Sequence, residues 1–110
     1  MTATDKMIQF ILETKYEDVP PIDLQVIKHS CFDNIGTILA GAVQPVGRMI
    51  AEYTKETGGT PESTVLGAGF RTSATMAALA NGTMGHALDY DDTGGYGHPT
   101  ASLFPALLAI

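Results

Sequence analysis

The stretch ATMAALANGTMGHALDYDDT, residues 74–93, has two unlike halves. It opens on small apolar side chains and closes on three aspartates and a histidine. The residues ATMAALA favour helix, and side chains this small let neighbouring elements come close. The spacing therefore predicts an interior helix, opened by Ser73 as its N-cap. An interior helix needs other helices around it, so the expected fold is mainly α, with at most one short β-hairpin. Asn81-Gly82 is a hairpin turn signal in a β protein. Between two helical patterns it reads instead as a helix break. A second short helix, 83–90, would then carry the acidic cluster at its C-terminal end.

Upstream, Met7, Ile8, Ile11 and Leu12 recur at helical spacing and predict a helix over 4–15. YEDVPPID breaks the chain and restarts it. Pro20 and Pro21 suit a first helical turn, and Asp23 suits its positive end. Leu24, Ile27, Cys31, Ile35, Ile38, Leu39 and Ala42 then mark a long helix ending near residue 42. Pro45 opens a third helix with the stripe Val46, Met49, Ile50 and Tyr53, closed by Gly58-Gly59. Residues 64–66 and 70–71 read as two short strands around a GAG turn. A last helix starts near His98-Pro99. Its sequence, ASLFPALLAI, is apolar almost to its final residue, where a domain seldom stops. Residues 1–110 thus read as the N-terminal portion of a longer chain. Such a piece is expected to expose apolar surface and to self-associate.

The 110 residues suffice for one domain. The net charge of −6 offers no basic face for nucleic acid. One cysteine, Cys31, excludes an internal disulfide and a cysteine-based metal cluster. It sits in an apolar stretch and is expected to be a small buried residue. The start, MTATDKM, lacks a signal-peptide layout, and no run approaches the ~20 apolar residues of a membrane span. The expectation is a soluble protein of the cytoplasm, or of the mitochondrial matrix if eukaryotic.

HALDYDDTGGYGHPT, 86–100, concentrates the polar chemistry. Asp91, Asp92 and Thr93 are good turn and cap formers, which is a structural reading. Asp89, Asp91 and Asp92 with His86 or His98 could present ligands to a divalent ion. The spacing matches neither HExxH nor the calcium-loop template, however, and no metal site is assigned. The third reading is acid–base: an imidazole beside a carboxylate holds one tautomer and moves protons near neutral pH. Gly94, Gly95 and Gly97 would let the backbone approach a ligand. Acids at a helix C-terminus oppose the dipole, a placement that function explains better than folding. His29, within the long second helix, reads as a surface or packing histidine. His86 is a reserve candidate.

The ordered set DNIGTILAG (33–41), TVLG (64–67), AALANGTMGHALDYDDT (77–93) and GHPTASLFPALLA (97–109) resembles the N-terminal part of the MmgE/PrpD family. That family includes 2-methylcitrate dehydratase and cis-aconitate decarboxylase. The resemblance implies a longer protein with a large all-helical domain and a smaller α/β lid, acting as a homodimer on small polycarboxylates without metal or organic cofactor. It implies Asp89, Thr93 and His98 as active-site residues, with Asp91 and Asp92 structural. His98 would transfer a proton or bind a substrate carboxylate, Asp89 would orient it or handle a second proton, and Thr93 would hydrogen-bond the substrate. The loop GGYG (94–97) is one residue shorter than in the decarboxylase branch and lacks its tryptophan, which leaves the substrate open. The family's later lysines, histidine and lid fall outside these residues. The other reading is a non-catalytic remnant acting in folding, dimerisation or interaction.

Overall fold

The computed structural model describes residues 1–95 and 97–110. In chain order they form α1 (Ala3–Glu13), a 3-10 turn (Tyr16–Asp18), α2 (Pro21–Ala42), α3 (Pro45–Thr57), β1 (Ser63–Val65), β2 (Phe70–Thr72), α4 (Ala74–Gly85) and α5 (Pro99–Ala109). The fold is mainly α with one two-stranded antiparallel hairpin. Among the described residues no helix is long and apolar enough to cross a membrane.

Helix starts follow their local chemistry. Thr2 caps α1 in a reciprocal pair with Asp5. Prolines occupy the first turns of α2, α3 and α5, where a missing N–H costs nothing. Gly58, with φ 69°, closes α3. Ser73 stands at the N-cap of α4, but its side chain makes no cap bond. The exposed first turn is served instead by Glu62, whose Oε1 accepts from the Ala74 N–H at 3.2 Å.

Interior placement of α4 holds. It packs against α2, α3, α5 and both strands. Ala77, Ala80, Asn81, Met84 and Gly85 are buried, a face at i, i+3, i+4, i+7 and i+8. The core joins Ile38, Val65, Ala77, Ala80 and Met84, with Ala42, Ile50, Ala51, Leu66, Ala68 and Phe70 around them. Gly41 is the contact point of α2 with α4: a Cβ there would overlap the Met84 carbonyl.

The expected break at Asn81-Gly82 is wrong. The helix runs through both residues to Gly85, and no second helix follows over 83–90, whose residues after 85 lie in turns. Asn81 is a buried latch for the hairpin. Its Oδ1 accepts from the Leu66 N–H at 2.9 Å, and its Nδ2 donates to the Thr64 carbonyl at 3.0 Å. Those tertiary bonds outweigh the weak local preference of asparagine for turns. Gly82 faces α5, where a Cβ would come 3.2 Å from the Ala101 carbonyl. The strands pair Ser63 with Thr72 and Val65 with Phe70, one residue earlier and one later than the sequence suggested.

Two apolar stripes are displaced from their expected roles. On α3 the buried side is Gly47 and Thr54, with Ile50 and Ala51 half-buried, whereas Val46, Met49 and Tyr53 are exposed. On α1 every residue of the Met7–Leu12 stripe is exposed. Cys31 is half-buried rather than buried.

Candidate active site

The site is built where α4 ends. His86 is the C-cap, its N–H bonded to the Gly82 and Met84 carbonyls. The chain then turns tightly, Ala87 N–H to Met84 O and Asp89 N–H to His86 O. Asp89 closes this turn with φ 53°, a left-handed conformation that aspartate tolerates better than most residues. Beyond it, Gly94 and Gly97 exchange two backbone hydrogen bonds, 2.7 and 3.1 Å. This pinched loop returns the chain to the start of α5. Two histidines twelve positions apart thereby meet, with ring centroids 4.4 Å apart at 57°.

Asp91 lies between them, its side chain 1% exposed. His86 Nδ1 is 2.9 Å from Asp91 Oδ1, a hydrogen bond. His98 Nδ1 is 3.3 Å from Asp91 Oδ2. That second pair is within ion-pair reach but not aligned, and both of its atoms are buried without a hydrogen-bond partner among the described residues. On the open side Asp89 Oδ1 is 3.4 Å from His98 Nε2 and 3.9 Å from His86 Nε2. Asp89 is 78% exposed and faces solvent. The hydrogen bond from Asp91 raises the His86 pKa above its ordinary value, reinforced by the charges of Asp91 and Asp89 against partial desolvation.

Asp92 does something else. Its Oδ1 accepts from the Thr100 N–H at 3.3 Å and its Oδ2 from the Thr100 hydroxyl at 2.5 Å. It thus serves the first turn of α5, where the helix dipole favours an acid. The expected conflict between the acids and a helix C-terminus does not arise as drawn, because α4 stops at Gly85 and the acids lie in the turns beyond.

The structure places Asp89 Oδ1 3.4 Å from His98 Nε2. Thr93 is exposed in the loop and takes no part in the hydrogen bonds among the described residues. His29 is exposed on α2. Asp91 and His86 carry more of the site than sequence reading assigned them. No local signal gave this: Asp89 and Asp91, two positions apart, lie on opposite sides of the histidine pair, one open and one buried. Donor atoms of His86, Asp91 and His98 all lie within 4.8 Å of one another, close enough to enclose a cation. Their shortest separation, 2.9 Å, is the His86–Asp91 hydrogen bond. A groove of about 700 Å³ lies elsewhere, between α3 and the hairpin, lined by Arg48, Lys55 and Phe70 among others.

The family model described as MmgE/PrpD N-terminal domain matches residues 5–110. The chain belongs to the MmgE/PrpD family. Within it, the chain is similar to cis-aconitate decarboxylase of Mus musculus, 33% identical over 85 residues. That alignment covers 76% of this chain and 17% of the mouse enzyme. The chain thus spans a small part of the length of the curated relative it matches. No solved structure matches it.

Proposed function

We propose that this MmgE/PrpD chain supplies one wall of the active site of a lyase acting on small polycarboxylates. The reaction is dehydration of 2-methylcitrate or citrate, or decarboxylation of cis-aconitate, by acid–base catalysis without a cofactor. The observation that carries it is the convergence of His98 and Asp89 on one open face at 3.4 Å. Dehydration of a β-hydroxy acid requires a base for the proton beside a carboxylate and an acid for the departing hydroxyl. Decarboxylation of cis-aconitate requires a proton donor to the carbanion that carbon dioxide leaves behind. His98 fills the proton-transfer role or binds a substrate carboxylate. Asp89 orients it or carries a second proton, and Thr93 hydrogen-bonds the substrate from the loop. Residues 1–110 form the N-terminal portion of the helical domain in this proposal, and a homodimer is its assembled form.

Turnover on 2-methylcitrate, citrate and cis-aconitate tests it, with this chain and with a version extended by its genomic downstream sequence. Activity in the extended protein that His98→Ala lowers about 10²–10⁴-fold is the expected result. Near-normal turnover by His98→Ala sinks the role of His98, and turnover on none of the three acids sinks the substrate class. The second reading, a non-catalytic remnant, is favoured by the exposed apolar side chains of α1 and the first half of α2, such as Phe10, Leu12, Ile22 and Val26.

A further inference from the structure

We propose that Asp91 is the positioning residue of this site: one buried carboxylate holds both imidazoles by Nδ1 and turns both Nε2 atoms to the open face, making His86 a second proton-carrying group beside His98. The inference deepens the lyase reading and rests on it only for the word catalysis. The geometry of the rings stands without it.

Asp91 Oδ1 and Oδ2 each face a different Nδ1, at 2.9 and 3.3 Å. An ionised carboxylate only accepts hydrogen bonds. Nδ1 of His86, which is hydrogen-bonded to it, therefore carries the proton, and Nδ1 of His98 faces the second oxygen in position to do the same. In a neutral ring that leaves Nε2 as the lone-pair atom, free to act as a base. Both Nε2 atoms point the same way, towards Asp89 Oδ1 at 3.4 and 3.9 Å. That carboxylate is 78% exposed and water competes for it, whereas Asp91 is buried at 1% exposure, so the single proton of each neutral ring stays on Nδ1. The unaligned pair, His98 Nδ1 and Asp91 Oδ2, consists of two buried atoms with no other partner among the described residues. Each is the natural complement of the other, and hydrogen bonds of this kind are commonly long in an unliganded site and tighten when it fills. A small rotation of the His98 ring completes the set. The site then has two imidazoles of one tautomer, where sequence reading found one.

The decisive substitution is Asp91→Asn. A carboxamide of the same shape offers one acceptor oxygen and one donor nitrogen. One ring keeps its proton on Nδ1. The other meets an N–H and must accept through Nδ1, so its proton moves to Nε2 and its base is lost. The ring nitrogens of the ¹⁵N-histidine-labelled 110-residue chain report this directly by NMR, at a pH where the rings are neutral. Exposed His29 on α2 serves as the internal reference. The expected spectrum shows His86 and His98 both protonated on Nδ1 in the unaltered chain, and one of them switched to Nε2 in Asp91→Asn. A proton on Nε2 of either site ring in the unaltered chain overturns the assignment, and so does an Asp91→Asn chain with both rings unchanged. The first of these readouts needs no variant, so a poorly folding Asp91→Asn does not shelter the proposal. In an active extended protein, Asp91→Asn is expected to lower kcat by up to about 10⁴-fold with KM little changed, as when a tautomer-fixing aspartate is replaced in a catalytic triad. A fall confined to KM would overturn the positioning role. Correct tautomers without turnover would count against the lyase reading alone, and turnover with the wrong tautomers against this one alone.

Discussion

Helices α1 and α4 are nearly the same length, 11 and 12 residues, yet α4 buries five residues and α1 buries none. Apolar patterning alone suggests the reverse. ATDKMIQFILE in α1 has a clear apolar stripe, whereas ATMAALANGTMG in α4 is small and weakly patterned. A stripe says which face would be buried if a partner came. It does not provide the partner. Smallness does something different, because it permits neighbours to approach from several sides at once, as α2, α3, α5 and the hairpin do around α4.

Four measurements break or sharpen that contrast. Met84 is 0% exposed in the core, and Met84→Ala is expected to destabilise by about 2–5 kcal/mol, read from urea midpoints. A loss near zero would mean that α4 is not the interior helix. Asn81→Ala leaves the Leu66 N–H and the Thr64 carbonyl without their partner. The expected cost is about 1–3 kcal/mol, with faster amide exchange in the hairpin; a neutral result would return residues 81–82 to the helix break the sequence suggested. A smaller effect follows from His86. Its pKa is raised in the fold above an unfolded value of about 6.5. The folded state therefore holds the proton more tightly, so the contribution is full below about pH 6.5 and is lost as pH rises through the raised value. Urea midpoints between pH 5.5 and 8 should fall slightly, and His86→Gln should flatten that fall. A fall that persists in His86→Gln would place its cause in another group. The smallest effect belongs to α1. Leu12, 78% exposed, should tolerate Leu12→Ser within about 0.5 kcal/mol, while the concentration at which the chain self-associates should rise. A large stability loss would show that α1 is docked in solution.

The candidate site was legible in part. Asp89 and His98 were singled out by the resemblance to the MmgE/PrpD family; local chemistry showed only a cluster of carboxylates and imidazoles around glycines. Asp91 was read as a turn former, and the same residue type does serve as one next door, where Asp92 bonds Thr100. Nothing local separates these two neighbours. The difference is that one side chain lies under a histidine pair and the other at a helix start.

The amino-acid sequence by itself determined most helix limits, since prolines, caps and glycines act over a few residues. It also determined the interior place of α4 and the family. The tertiary structure alone decided that the helix continues through Asn81, because a strand edge supplies the hydrogen bonds that a turn would otherwise provide. It alone decided that His86 and His98 share one carboxylate, because only the pinched Gly94–Gly97 loop brings residues twelve positions apart within reach of it.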